Sequence, residues 1–234
     1  MAIKTKGLGL RVWRFLKRLF LFLFIFHLFY LLILKWVNPP ITITQLGSWI
    51  TGDGLRRDYV NYSEMSNYAK IAVVSSEDQL FPEHNGFDWK SIEKAMEHNE
   101  KHPKKIRGAS TISQQVAKNV FLWQGRSWLR KAFETYFTFL IEIVWGKKRI
   151  LEMYLNIAEM GSGIYGIEAA SRSYFKKPAS KLTRAEAAMI AACLRNPKKY
   201  TVKPLSKFVA SRYPWVLKQM SVLQSDEGVQ KLLQ

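Results

Sequence analysis

The sequence predicts an all-α globular domain preceded by a single N-terminal transmembrane helix, and three observations carry that prediction. Residues 19–34 form an apolar run broken only by His27. From about residue 64 onward, apolar side chains recur at helical spacing and are interrupted by Pro and Gly at short intervals. With 234 residues, the chain has room for one medium domain beside an anchor and not for two full enzymes.

Residues 1–18 form a basic segment carrying Lys4, Lys6, Arg11, Arg14, Lys17 and Arg18. The anchor is expected over 19–37, a helix of about 28 Å at roughly 1.5 Å per residue, close to a hydrocarbon core of about 30 Å. Lys35 can snorkel to the far interface beside Trp36. No acidic residue precedes Asp53. The positive-inside rule therefore keeps the N-terminus cytoplasmic and exports everything after Val37. The run is longer than a signal-peptide core and no small-x-small site follows it, which argues against a cleaved leader.

Residues 38–60 read as a linker and the start of the exported part. Asn38-Pro39-Pro40 is stiff, 41–45 is expected to be β-rich, and Thr51-Gly52-Asp53-Gly54 marks a turn. The domain proper is expected over 61–234. Its helices are predicted near 64–80, 88–101, 110–121, 127–145, 147–159, 164–174, 183–193 and 207–223. Stops fall at Pro82, Pro103, Gly125, Gly146, Gly161, Pro178 and Pro197.

Charge narrows the partner. The chain has 36 Lys+Arg against 18 Asp+Glu, a net charge of +18, and seven of the bases lie at or before Lys35, leaving the exported part at +11. An exported basic domain meets anionic head groups and lipid-linked phosphates, so nucleic acid is not expected as a partner. The single cysteine, Cys193, excludes an internal disulfide framework and any multi-Cys metal site.

The segment 127–145 is apolar around nearly its whole circumference, apart from a polar stripe of Arg130, Glu134, Thr138 and Glu142. It could be a central core helix or a helix resting against a bilayer, and both could hold for different faces. The preceding Phe121, Leu122 and Trp123 are expected to be an exposed apolar turn in contact with the membrane, rimmed by Arg126 and Arg130.

Three clusters could hold chemistry. Glu77 shares the apolar face of its helix, near the negative C-terminal end. It is either paired structurally or kept for acid–base work, with burial and the helix dipole raising its pKa. In Gly108 to Asn119, Ser110 or Thr111 can cap a helix on which Thr111, Gln115 and Lys118 share a face, an anion cradle or an ordinary solvated surface. In Lys148 to Asn156, Lys148 and Glu152 are spaced for an i,i+4 ion pair, as are Arg130 and Glu134. Gly161-Ser162-Gly163-Ile164-Tyr165-Gly166 fits a nucleotide-loop spacing but follows a helix pattern, and His98 with His102 lacks a correctly placed Glu; neither reads as a cofactor site.

Taken in order, these segments resemble the glycosyltransferase domain of the peptidoglycan glycosyltransferases (glycosyltransferase family 51), in their monofunctional biosynthetic form, without a transpeptidase domain. Residues 77–88 look like E-D-x-x-F-x-x-H-x-G-x-D, and 108–119 like G-x-S-T-I-x-Q-Q-x-x-K-N with Ala109 where the family often has Gly. Residues 130–134 match R-K-x-x-E; 148–156, with Gly161, Tyr165 and Gly166, resemble a fourth motif; 185–197 resemble a fifth.

The resemblance implies a lysozyme-like fold and polymerisation of lipid II onto a growing glycan chain with inversion and release of polyprenyl pyrophosphate. It implies Glu77 as general base and Glu152 as a second catalytic carboxylate. Lys118, Arg130 and Lys131 would hold the pyrophosphate, while Asp78, Phe81, His84, Ser110, Thr111, Gln115, Asn119, Glu134 and Asn156 would shape the substrate site. No cofactor and no protein-held metal are expected; a divalent ion such as Mg²⁺ could assist at the pyrophosphate. The expected location is the inner membrane with the catalytic domain periplasmic, and proteins of cell-wall synthesis or division could be partners.

Overall fold

The computed structural model describes residues 5–103, 105–125 and 127–234, so Lys4 and Arg126 lie outside the described residues. The chain divides into two units, Met1–Asn38 and Pro39–Gln234. The first contains α1 (Thr5–Ile33), of which Gly9–Ile33 is long and apolar enough to cross a membrane. This helix runs back through the basic segment and ends at Ile33. Residues 34–37, expected to be its last turn, form a tighter turn in which Lys35 and Trp36 donate to the carbonyls three residues back.

The second unit is built of α2 (Ile43–Ile50), α3 (Asn67–Glu77), α4 (Trp89–Lys101), α5 (Ile112–Phe121), α6 (Trp128–Val144), α7 (Gly146–Ile157), α8 (Ile167–Phe175), α9 (Arg184–Cys193), α10 (Lys207–Leu223) and α11 (Glu227–Leu233). A small sheet joins β1 (Arg56–Arg57), β3 (Ile164–Tyr165) and β2 (Glu159–Gly161) in that order, with β1 parallel and β2 antiparallel to β3. The all-α expectation holds for the body of the domain, and the sheet is its one addition among the described residues. The glycine-rich stretch 161–166 closes the β2–β3 hairpin. At Gly163, with φ +66°, a Cβ would lie 2.3 Å from the Asp53 carbonyl oxygen, so glycine serves a close backbone approach and not a phosphate.

The stretch 41–45, expected to be β-rich, begins α2 instead. Thr42 Oγ1 accepts from Gln45 N at 3.2 Å and Gln45 Oε1 accepts from Thr42 N at 3.1 Å. This reciprocal cap outweighs the strand propensity of the alternating Ile and Thr residues.

The core lies where α3 packs on α9 and α10, and α5 on α6 and α7. Ala69, Ala72, Ala187, Ala188 and Ala191 are buried between α3 and its neighbours; such small residues let helix backbones approach closely. α7 contributes Ile150, Leu151, Met153 and Leu155 to the buried interior.

The core reading of 127–145 fails. On α6 only Glu134, Thr138 and Ile141 are buried, while Trp128 is 92% and Ile143 66% exposed, and Leu129, Phe133 and Phe139 are exposed as well. The polar stripe faces inward because Glu134 is paired there and Thr138 Oγ1 returns a bond to the Glu134 carbonyl. The helix is inside-out by the standard of a water-soluble protein. Of the three residues expected to touch the membrane, Trp123 is exposed, Phe121 is half-buried and stacked on Phe137, and Leu122 is buried at 2% exposure. Leu122 therefore belongs to the core.

Candidate active site

Glu77 is the last residue of α3, and Asp78 leaves the helix with φ −161°. The turn that follows is clamped to the start of α5. Asp78 accepts from His84 Nε2 at 3.0 Å and from Ile112 N at 2.9 Å, and His84 Nδ1 accepts from Gly86 N at 3.1 Å. Because Nδ1 accepts, Nε2 carries the proton. Thr111, not Ser110, caps α5 through Gln114, and its hydroxyl donates to the Gly86 carbonyl at 2.7 Å. The backbone donor at the helix start that could have cradled a ligand anion is thus taken by Asp78. Phe81 is fully buried with Lys147 Nζ 4.6 Å from its ring centre. Asp78, Phe81, His84 and Thr111 act by holding two motifs together.

That clamp sets Glu77 against α5. Gln115 Nε2 donates to Glu77 Oε2 at 2.9 Å. Burial pushes the Glu77 carboxyl above the usual carboxylate range; the bond from Gln115 and the charges of Arg212 and Lys118 pull the other way, and Asp78 adds to the rise.

Lys118, one turn beyond Gln115, has its pKa lowered by burial, with Glu134 opposing and Arg130 and Lys131 adding to the fall. Glu134 accepts from Arg130 Nη1 at 2.6 Å and Lys131 Nζ at 2.5 Å, so the expected Arg130–Glu134 pair forms. α6 and α5 together gather these three cations around one buried carboxylate.

Glu77 opens on a cavity of about 580 Å³ that it shares with Ser110, Gln115, Arg107, Arg195 and Arg212. Gln115 also borders a second cavity of about 530 Å³ lined by Lys118, Asn119, Tyr154 and Lys198 among others. A third, of about 450 Å³, runs from Glu77 past Asp78 and Asp88 to Ser110 and Thr111. A carboxylate that can take a proton therefore sits where cavities meet, with cations to either side. Such a cleft can deprotonate a hydroxyl while holding anionic groups.

Two expected site residues stand elsewhere. Glu152 Oε1 accepts from Tyr62 N at 2.9 Å, and its Oε2 accepts from Arg149 at 2.8 Å in place of the expected Lys148. Asn156, fully buried, bonds both the N–H and the carbonyl of Val60 at 3.0 Å. Both are two residues from Tyr154, which points at Gln115; at about 100° per residue, they project from the opposite side of α7. They fasten segment 60–62 to the helix and do not face the cleft beside Glu77. Asn119 accepts from Thr44 Oγ1 at 3.5 Å and joins α5 to α2.

Sequence reasoning missed Arg107, Arg195, Arg212 and Tyr154. Arg107 directly precedes the 108–119 motif and Arg195 lies within the 185–197 one, so both could have been marked; Arg212 had no local signal. Its guanidinium lies 3.5 Å over the Trp215 ring, and its pKa is lowered by burial and Arg195 while Glu77 raises it. Among the described residues, no group of three His, Cys, Asp or Glu side chains could hold a metal.

The chain is similar to known proteins over most of its length. A family model described as Transglycosylase matches residues 44–221. A biosynthetic peptidoglycan transglycosylase of Yersinia pseudotuberculosis serotype O:3 (strain YPIII) is 54% identical over 182 residues, covering 76% of each chain. One from Shigella boydii serotype 4 (strain Sb227) is 53% identical over 190 residues, 80% of this chain and 78% of its own.

Proposed function

The chain belongs to the transglycosylase family and is a peptidoglycan glycosyltransferase of cell-wall synthesis, and from that premise we propose which residues carry its reaction. Lipid II is polymerised into linear β-1,4 glycan strands, with inversion and release of polyprenyl pyrophosphate. The acceptor's sugar 4-hydroxyl attacks the anomeric carbon of the growing chain, and Glu77 takes the hydroxyl proton as the new bond forms. The departing pyrophosphate gains negative charge, which Lys118, Arg130 and Lys131 stabilise. Arg107, Arg195 and Arg212, on the other side of Glu77, suit the acceptor's own diphosphate. The observation that carries this reading is the Glu77 carboxylate in a cavity with Arg107, Arg195 and Arg212, bonded to Gln115, which also borders the cavity of Lys118.

Glu134 replaces Glu152 as the second carboxylate of the site, since it aims Arg130 and Lys131. Glu134→Gln is expected to lower turnover about 10²-fold by misplacing both cations. Glu152→Gln should keep turnover within a few-fold while lowering Tm by a few degrees, as one charge-assisted bond is worth about 1.5–3 kcal/mol. Steady-state rates and thermal melts of the two variants check this; a collapse of turnover in Glu152→Gln alone restores that residue to the chemistry.

The described residues fit no dedicated metal cage, because Glu134 is held by two cations and Asp78 by His84. No cofactor is required in this reading.

The exported domain faces the periplasm, with α1 in the inner membrane and its basic start in the cytoplasm. The outward face of α6 rests on the bilayer, which keeps the cleft near the substrate's polyprenyl tail. Replacing Trp128, Phe133 and Phe139 by Ser is expected to weaken liposome partitioning of residues 39–234 at least about tenfold. Equal partitioning of the two forms would remove this face from the membrane. The function itself is tested by incubating full-length protein with purified lipid II: long glycan strands support it, whereas shortening of preformed glycan with no polymer overturns it.

A further inference from the structure

We propose that Tyr154 is a positioning residue: its phenol holds the Gln115 amide in the orientation that presents N–H, and not C=O, to the Glu77 carboxylate. The inference rests on Glu77 being the base. Three side chains from α7, α5 and α3 form a line. Tyr154 Oη donates to Gln115 Oε1 at 3.3 Å, and Gln115 Nε2 donates to Glu77 Oε2 at 2.9 Å. Tyr154 is almost fully buried.

A primary amide has two ends of nearly equal size, so packing scarcely distinguishes them and the hydrogen-bond partners decide. Facing an ionised carboxylate, the N–H end is favoured. Facing a carboxylic acid, the carbonyl end can accept the acid's proton. Burial holds the Tyr154 phenol well above its ordinary pKa, so it remains a donor throughout the range in which Glu77 titrates. A permanent donor at Oε1 keeps the N–H end towards Glu77 and favours the ionised base.

The other groups facing Glu77 act without Tyr154. Lys118 on α5 and Arg212 on α10 favour ionisation, and neighbouring Asp78 disfavours it. Cys193 on α9 is a buried thiol pushed up to about 12 and stays neutral. Removing the phenol oxygen alone therefore isolates the amide's contribution.

The experiment is the pH dependence of kcat/KM for lipid II polymerisation by the full-length protein. Tyr154→Phe is expected to move the acid limb upward by about 0.5–1 pH unit, with the high-pH plateau and the melting temperature little changed. In a Gln115→Met background, the same substitution is expected to add no further shift. An acid limb that stays in place, or a shift of equal size without Gln115, overturns the proposal. Wild-type polymerisation that survives Glu77→Gln removes the base, and the positioning role with it. Polymerisation lost in Glu77→Gln but an unmoved limb in Tyr154→Phe overturns the positioning role alone. Should Tyr154→Phe not fold, the Gln115 side-chain amide resonances of the wild type are expected to titrate with Glu77; resonances that ignore that titration overturn the proposal.

Discussion

Glu77→Gln is expected to reduce lipid II polymerisation by about 10²–10⁴-fold, the usual contribution of a positioned general base. The substituted amide keeps the shape of the side chain and can still bond Gln115, so substrate binding should persist. The same variant should be the more stable protein at neutral pH. Burial raises the Glu77 carboxyl above its unfolded value near 4.5, so the wild type is fully stable in this respect below that value and loses stability as pH rises through the raised one. The melting-temperature advantage of Glu77→Gln should thus grow with pH through that window and shrink on acidification. Each ~1 kcal/mol corresponds to about 2–4 °C at this size. A variant with no polymerisation and a lower Tm at pH 7 would point to a structural carboxylate instead.

Lys118→Met carries the second large effect. Removing a donor aimed at charge developing on the leaving group costs about 10²–10³ in kcat. Lys118 also draws the Glu77 pKa downward, so its loss should move the acid limb of activity upward. Stability should hold or rise, because Lys118 sits among Arg130 and Lys131 and its own pKa is lowered by burial and by those like charges. Rate measurements across pH with a thermal melt separate these effects. Retained kcat with only a raised KM would confine Lys118 to binding the substrate's ground state.

Much of the site was legible because its signals are local. The cap of α5 at Thr111, the Arg130–Glu134 pair and the apolar face bearing Glu77 each depend on spacings within one turn or two. Glu152 and Asn156 misled for the complementary reason. Their motif was plain, but the side of α7 that meets the cleft is settled by what packs around it, and Tyr154 occupies that side. α2 hid behind alternating Ile and Thr although its T-x-x-Q cap was present in the residues 42–45. For α6 the composition left a core helix and a bilayer-facing helix both open, because an apolar circumference does not say which side packs inward.

From the residues alone came the apolar N-terminal helix, the helical domain, the family resemblance and residue 77 as the candidate base, since periodicity, capping and motif order are properties of a linear string. Whether Leu122 points in and Trp128 out, how Arg212 reaches Glu77 from more than a hundred positions away, and which carboxylate joins the cations had to await folding. Those facts are contacts between distant segments, and their energies exist only once α3, α5, α7, α9 and α10 have packed.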